Sequence, residues 1–305
     1  MQLQAITYFN ELVRCRSIRR AAQALGVSPT AISRQLENLE YHFGAPLVER
    51  SARGIVLTAA GEQLAIHART AMREFEQARQ FIDDMRGLKR GAVSVRVNGA
   101  TGGAIMADCV AEFHKLYPDV EVAIAEGSAP EALNAVAQGE ADLALTIFSP
   151  ADSRVTARCR HPLSHAAVMA PDHPATRKPV FELEDLVRYP LAMPDMSFSV
   201  RRVIEETLKR AGHPPAHVSF AVSSIAIQKE LARLRAAVLV LPPLSIARDI
   251  DAGLLVTRPL APGLKIDTHL QLGLRKGATL TFAADRLATH VEARLRAYRE
   301  SGVLG

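Results

Sequence analysis

The sequence predicts an N-terminal helical domain with a short β-hairpin, then one long helix, then an α/β domain that fills two thirds of the chain. Two short helical segments and a hairpin pattern lie within residues 1–58. An uninterrupted helical pattern follows, and from residue 91 strand patterns alternate with helical ones. This alternation predicts an open parallel α/β sheet. A chain of 305 residues is long enough for two or three domains.

The segment Ser17–Glu40 predicts two short helices joined by a tight turn. Gly26 suits the left-handed residue that ends the first helix, and Ser28 followed by Pro29 suits the start of the second. Three apolar residues recur at helical spacing and are expected to face inward: Ile32, Leu36 and Leu39. The polar face that remains is the one that enters the DNA major groove in a helix-turn-helix, and it carries Thr30, Ser33, Arg34 and Glu37.

Most of the net positive charge lies in the first third of the chain. Residues 1–90 contain 13 Lys/Arg and 9 Asp/Glu, a balance of +4 out of the +5 of the whole chain. A surface that binds DNA phosphates has this bias. The difference is small, and it gains meaning because it coincides with the helix-turn-helix pattern.

Residues 47–57 predict a hairpin, with strands at 47–49 and 55–57. Its tip contains Arg50, Arg53 and Gly54. Arginines at such a tip lie beside the second helix and reach phosphates or a minor groove. The alternative is a solvated turn that contains two arginines by chance.

A long helix follows, which Thr58 caps and in whose first turn Glu62 lies. Its apolar residues are spaced alternately by four and three, a heptad pattern that predicts packing against another helix. We expect that helix to come from a second copy of the chain, and the alternative is packing on the protein's own body. The predicted dimerisation residues are Leu64, Ala68, Ala71, Phe75, Ala78, Ile82 and Met85.

Two stretches, SIRRAAQALGVSPTAISRQLENLE from Ser17 and FGAPLVERSARGIVLTAAGEQL from Phe43, resemble the LysR-type transcriptional regulators. The resemblance implies a sequence-specific, ligand-responsive DNA-binding regulator of transcription, without enzymatic activity. It implies a winged helix-turn-helix at 1–58, a linker and dimerisation helix at 59–90, and a periplasmic-binding-protein-like effector domain at 91–305. Lobe 1 of that domain would hold 91–161 and 267–305, and lobe 2 would hold 162–266. The expected DNA contacts are Ser28, Pro29, Thr30, Ser33, Arg34, Arg50 and Arg53.

The same resemblance implies four partners: double-stranded DNA with an interrupted palindromic operator, a small-molecule effector, a second copy in a homodimer or homotetramer, and RNA polymerase. It also marks a departure, because Arg235, Ala236 and Ala237 stand where the family often has glycines, just before a strand that ends in Leu-Pro. A tight turn there is expected to be altered.

Hydroxyl-rich segments follow several predicted strands, where ligands bind in open α/β sheets, close to helix N-termini. Such a cluster suits a small organic anion. For each hydroxyl taken alone, helix capping is the alternative. The candidate effector residues are Ala100, Thr101, Gly102, Thr146, Phe148, Ser197, Phe198, Ser199, Ser223 and Ser224.

Other classes of function find little support. The spacing of the histidines matches no metal motif, and no cofactor or nucleophile motif is present. A thiol redox sensor that uses Cys109 and Cys159 is an alternative, as is a solute-binding sensor whose head contacts proteins. The three scattered cysteines, the absence of a signal peptide and the absence of a long apolar run predict a cytoplasmic protein without a membrane span. The histidines considered as metal ligands were His161, His165 and His173.

Overall fold

The computed structural model describes residues 3–51, 54–85, 90–99, 105–264, 266 and 268–300, without the side chains of residues 50, 51, 84 and 85. The chain forms two compact units, residues 1–86 and 87–305. Among the described helices, none is both long and apolar enough to cross a membrane.

The first unit, which we call the head, contains four helices and one hairpin. Helices α1, α2 and α3 bury one apolar face each in a common core with the start of α4. The apolar residues Ile32, Leu36 and Leu39 of α3 are buried there, as predicted. The elements are α1 Leu3–Cys15, α2 Ile18–Leu25, α3 Pro29–Phe43, β1 Val48–Ser51, β2 Gly54–Leu57 and α4 Ala59–Met85.

The ends of the helices follow the predicted capping residues. Gly26 ends α2 with φ 65°, and the Ser28 side chain accepts a hydrogen bond from the Ala31 N–H at the start of α3. The Thr58 hydroxyl accepts one from the Gly61 N–H at the start of α4, at 3.0 Å. These local predictions are confirmed because each uses a short-range hydrogen bond or a left-handed residue.

The hairpin is anchored on the turn between α1 and α2. The Ile55 N–H donates to the Arg16 carbonyl at 3.1 Å. Gly54 has φ 114°, and a Cβ there would lie 2.7 Å from the same carbonyl oxygen. Only glycine fits this close approach. The strands are longer than predicted, because Ser51 and Gly54 also pair.

The second unit has two lobes, each with one main apolar core and a smaller cluster beside it. Lobe 1 is built from β3 Gly91–Asn98, α5 Ala107–Leu116, β4 Val120–Gly127, α6 Ala129–Ala137, β5 Leu143–Ile147, β6 Val155–Leu163, β12 Thr268–Arg275 and α11 Phe282–Glu300. Lobe 2 is built from β7 Ala166–Met169, α7 Leu183–Arg188, β8 Leu191–Met193, α8 Ser199–Arg210, β9 Val218–Ala221, α9 Ile225–Arg233, β10 Leu239–Leu241, α10 Ala247–Asp251 and β11 Val256–Pro259. Three short 3₁₀ turns of lobe 2 lie at Pro174–Arg177, Pro243–Ile246 and Pro262–Leu264.

The sheets are mixed, so the prediction of a parallel sheet was wrong. In lobe 1 the strand order is β4-β3-β5-β12-β6, and only the pairs β3–β4 and β3–β5 are parallel. Strand β12 runs antiparallel to both neighbours because the chain leaves lobe 1 along β6 and returns along β12, with Leu163 opposite Thr268. In lobe 2 the strands β10-β7-β11 are antiparallel, and β8 pairs in parallel with β9.

The turn after α9 keeps a left-handed residue although it lacks glycine. Arg235 has φ 63°, and the Arg235 and Ala236 N–H groups close the helix on the carbonyls of Ala232 and Leu231. A non-glycine residue in this conformation costs about 1–2 kcal/mol. The Arg235 side chain forms an ion pair with Asp172 at 2.6 Å. The departure from the family pattern therefore leaves the turn in place at a cost in strain.

Candidate functional site

The polar face of α3 is uncovered within the head. Thr30, Arg34 and Glu37 are exposed, and Ser33 is half-buried. The Ser28 and Thr30 hydroxyls lie 2.9 Å apart at the start of the helix. This face therefore offers hydroxyls and a guanidinium beside the positive end of a helix dipole, a suitable surface for the phosphates and base edges of DNA.

The two wing arginines are only partly accounted for. Arg50 lies on β1, opposite Ile55, and its side chain is not described. Arg53 lies outside the described residues. Their predicted contacts with DNA stay predictions.

The heptad seam of α4 divides into a buried part and an exposed part. Ala68 as a dimerisation residue stays a prediction: it is 2% exposed and belongs to the head's own core, but it also lines the apolar groove of this helix. It is covered because the start of α4 packs on α1. Phe75 and Ile82, in contrast, are 58% and 52% exposed. Leu64 is half-buried, Ala71 and Ala78 are exposed, and the side chain of Met85 is not described.

An apolar groove of about 620 Å³ runs along the exposed part of this seam. In the described part of the head, no Asp, Glu, Lys or Arg lines it. Its walls come from α1, the end of α3 and the face of α4, and they include Leu3, Phe43, Leu64, Ala71 and Phe75. Covering an apolar surface of this kind with another apolar surface removes both from water and is therefore favourable.

The second unit has a cleft between its lobes, formed by two adjoining cavities of about 1130 and 90 Å³. Both lobes line it. Six of the predicted effector residues lie on its walls: Phe148, Ser197, Phe198, Ser199, Ser223 and Ser224. Thr146 is fully buried, does not line it and has its hydroxyl 2.6 Å from that of Ser149, while Ala100, Thr101 and Gly102 lie outside the described residues.

Most hydroxyls of the cleft already have partners within the chain. Ser197 donates to the Asp195 carboxylate at 2.5 Å, and Ser199 accepts from the Arg202 guanidinium at 2.9 Å. Ser224 caps α9 through the Ile227 N–H. The helix-capping alternative thus describes Ser224 in the absence of a ligand.

The N-terminus of α8 differs from those of α6 and α9. Ser128 and Glu131 form a capping box at the start of α6, whereas Phe198 precedes α8 and provides no side-chain acceptor. The residues Ser197 to Val200 line the smaller cavity. The first N–H groups of α8 are therefore available for an acceptor from outside the chain.

The described basic side chains on the cleft wall are paired. Lys229 Nζ lies 2.6 Å from Asp249 Oδ2. Arg248 of lobe 2 forms an ion pair with Asp108 of lobe 1. Because both cations are engaged, a bound anion would be held mainly by N–H groups.

Phe148 and His165 lie where the two lobes meet. Phe148 packs against both cores with φ 54°, and its N–H donates to the Thr268 hydroxyl at 3.1 Å. Its ring lies 5.3 Å from that of His165. Burial lowers the pKa of His165 to about 4, so this imidazole is neutral near pH 7.

The cysteines and histidines of the effector domain were candidates for redox chemistry and for metal binding. Burial raises the pKa of Cys109 to about 12 and also raises the pKa of Cys159. Burial therefore disfavours the reactive thiolate form of both cysteines near neutral pH. In the described part of the chain, no three His, Cys, Asp or Glu residues cluster as metal ligands.

The sequence analysis missed several polar residues at both sites. Asn38 follows Arg34 by four residues, a spacing that places both on one helix face and could have revealed it. The interlobe pair of Asp108 and Arg248 joins residues 140 apart in the chain, for which no local signal exists. The other missed residues are Gln4, Tyr8, Gln35 and Tyr41 in the head, and Ser128 and Gln228 in the cleft.

A winged helix-turn-helix joined to a two-lobed α/β domain defines a class of ligand-responsive DNA-binding proteins. Comparison with known families assigns both parts of the chain to one family. Residues 3–62 match the bacterial regulatory helix-turn-helix protein of the lysR family, and residues 86–296 match the LysR substrate binding domain. The chain belongs to the LysR family of DNA-binding transcription regulators, and it is not an enzyme.

Characterised relatives agree with this assignment. The transcriptional dual regulator GltC of Bacillus subtilis is 29% identical over 216 residues, which cover 70% of this chain and 72% of GltC. The regulator IlvY of Escherichia coli is 32% identical over 145 residues, 48% of this chain and about half of its own length, 49%.

Solved structures share the fold at low identity. A full-length OxyR from Pseudomonas aeruginosa has a TM-score of 0.71 at 19% identity, covering 97% of this chain and 95% of OxyR. Full-length CbnR complexed with its target DNA has a TM-score of 0.68 at 21% identity, covering 96% of this chain and all of CbnR.

Proposed function

We propose that this LysR-type regulator binds its operator through the start of α3, with Ser28, Pro29, Thr30, Ser33 and Arg34 in the major groove. The single observation that supports this most is the uncovered polar face of α3, opposite the buried Ile32, Leu36 and Leu39. Arg50 and Arg53 of the hairpin contact the adjacent backbone or minor groove.

The test of this proposal is binding to duplexes of about 60 base pairs from the region upstream of the chain's own gene, measured by fluorescence anisotropy at several salt concentrations. We expect one duplex to bind at least about 1000-fold more tightly than a scrambled duplex. Equal affinity for all duplexes would contradict sequence-specific binding.

We further propose that the apolar groove of the head receives α4 of a second copy. Phe75 is large, exposed and lies in a groove without charged walls, so burying it against a partner is favourable. A helix of 27 residues is about 40 Å long. Two such helices side by side support a dimer that reads two half-sites of an interrupted palindrome. A tetramer of two such dimers is compatible with the same contact.

Light scattering during size-exclusion chromatography tests the dimer. Phe75→Asp places a charge in the groove and is expected to yield a monomer at micromolar concentration. Arg69→Asp changes charge at an exposed position of the same helix outside the groove, and it should keep the mass of the wild type. A dimeric Phe75→Asp variant would contradict this contact.

The effector, in our proposal, is a small organic anion that binds in the interlobe cleft at the N-terminus of α8. The uncapped N–H groups at that terminus and the neighbouring Ser223 hydroxyl can donate hydrogen bonds to an anionic ligand. A ligand bound between the lobes biases their relative angle. We also propose that the regulator contacts RNA polymerase. Its proposed location is the cytoplasm, where a chromosome-binding regulator acts.

A thermal-shift screen distinguishes the anion from other classes of effector. Small carboxylic acids, their uncharged amides and matched amines are compared on the full chain. We expect stabilisation by acids alone. Stabilisation by an amide or amine, with none by the corresponding acid, would contradict the anionic class.

A further inference from the structure

A hollow lies beside the DNA-reading face of the head, between α1 and α3; we call it the α1–α3 hollow. Its volume is about 830 Å³. Ser28, Thr30 and Arg34 form one part of its wall, so the hollow is continuous with the start of α3. The rest of the wall includes the polar residues Gln4, Tyr8, Gln35, Asn38, Tyr41 and His42.

The polar side chains of this wall can all donate hydrogen bonds. The Tyr8 hydroxyl accepts from Gln4 Nε2 at 2.8 Å, which leaves its own proton free to donate elsewhere. Among the described residues, no hydrogen bond or ion pair uses the side chains of Gln35 or Asn38. Tyr41 is 91% exposed. Several neutral side chains that can donate hydrogen bonds thus face one space.

Among the residues that the structure describes, no carboxylate lines the hollow. The two acids in the second half of α3 lie elsewhere, since Glu40 accepts from the Leu47 N–H at 2.8 Å and Glu37 is exposed outside the hollow. Arg34 and His42 are the basic residues on the wall. A wall with donors and no acid is complementary to a polyanion.

We propose that the α1–α3 hollow holds the sugar-phosphate backbone of the operator strand next to the base pairs that the start of α3 reads. Asn38 lies one helical turn beyond Arg34, roughly 6 Å along the axis, a distance that spans about two phosphates of one strand. Amides and phenols commonly donate to phosphate oxygens, and such contacts position a protein without reading sequence.

The proposal rests on the insertion of α3 into the major groove, and it extends the contact surface to α1. It makes a specific statement about salt. Binding by neutral donors contributes to affinity, but it does not neutralise phosphates and release counterions as Lys or Arg does. Losing Asn38 therefore lowers affinity at every salt concentration by the same factor.

The experiment compares Asn38→Ala with the full-length wild type on the upstream duplex and on a scrambled duplex of equal length. Alanine favours the helix more than asparagine, so α3 is preserved. We expect about fivefold weaker binding to both duplexes and an unchanged slope of log K against log salt. Tyr41→Phe removes one hydroxyl and tests the far end of the hollow in the same way. Gln80→Ala removes an amide from α4, away from α3 and from the hollow, and it is the matched control that should not weaken binding.

The outcomes separate this proposal from the assignment of α3 itself. Asn38→Ala binding within twofold of the wild type, while Arg34→Ala binds weakly, would overturn the hollow alone. Weaker binding of Asn38→Ala to the upstream duplex, with unchanged binding to the scrambled duplex, would overturn it as well, since Asn38 would then read a base. Failure of the wild type to bind any duplex at low salt would overturn both.

Discussion

The polar face of α3 and the walls of the interlobe cleft carry similar residues, but these residues differ in whether they have hydrogen-bond partners within the chain. On α3, Arg34, Gln35 and Asn38 have no partner within the described part of the molecule. In the cleft, Ser199 is bonded to Arg202 and Lys229 to Asp249. Polar groups left without partners indicate a large external ligand. Satisfied polar groups indicate a site in which a small ligand replaces internal bonds or uses the few groups that remain.

The largest expected difference concerns a polar group buried inside the effector domain. His165 has a pKa of about 4 when folded, against the ordinary 6.5, because burial disfavours its charged form. The unfolded chain therefore binds more protons below pH 6.5, and the free energy of unfolding falls as the pH drops towards 4. The loss due to this group is about 3 kcal/mol. Urea unfolding of the effector domain at pH 7.5, 5.5 and 4.5 measures it.

His165→Leu is expected to reduce this dependence on pH. His114→Leu, on the exposed side of α5, is the control that should retain it. An acid loss of equal size in His165→Leu and the wild type would assign the effect to other groups, of which the buried His161 is the first to examine.

The second largest effect is expected on the exposed polar face of α3. Arg34→Ala removes a guanidinium that is exposed and unpaired, so the folded head loses no internal contact. We expect operator affinity to fall by about 2 kcal/mol, roughly 30-fold, and the salt slope to decrease by about 0.9. Fluorescence anisotropy measures both. Unchanged affinity together with an unchanged slope would remove Arg34 from the DNA contact.

A third, smaller difference separates two adjacent serines of the cleft. Ser224 caps α9, whereas no hydrogen bond of the Ser223 side chain occurs among the described residues. Ser224→Ala should lower the free energy of unfolding by about 1 kcal/mol without any effector present, and Ser223→Ala should leave it unchanged. Urea unfolding of both variants measures this. No loss in Ser224→Ala would mean that the cap contributes nothing to stability, and an equal loss in Ser223→Ala would mean that Ser223 contributes as much as the cap.

Local signals explain which parts of this contrast the sequence predicted. Gly26, Ser28 and Thr58 act on backbone groups within three residues, so a single stretch of sequence contains both partners. The uncovered face of α3 follows from the helical period of its buried residues. We assigned no element to residues 3–15, although the spacing of Ala5, Phe9 and Leu12 contained a helical signal for α1.

Non-local pairing explains most of what the sequence did not predict. Strand β8 has three residues and α7 has six, too few to show a period. The antiparallel pairing of β12 with β6 joins distant segments. The burial of Ala68 in the head's core depends on α1 packing against α4. Whether a serine caps a helix or faces a ligand depends on such neighbours too.

The smallest expected effect concerns the ion pair across the cleft. Arg248 side-chain exposure is 72%, so its bond to Asp108 is screened by water and Arg248→Ala should change the free energy of unfolding by less than about 0.5 kcal/mol. Arg158 provides a matched contrast, because its half-buried guanidinium joins β6 to Asp285, Thr289 and Glu292 of α11. Arg158→Ala should therefore cost more in urea unfolding. An effect of Arg248→Ala larger than that of Arg158→Ala would show that this exposed contact holds the lobes together, and the cleft would then be closed by a pair that an entering ligand must break.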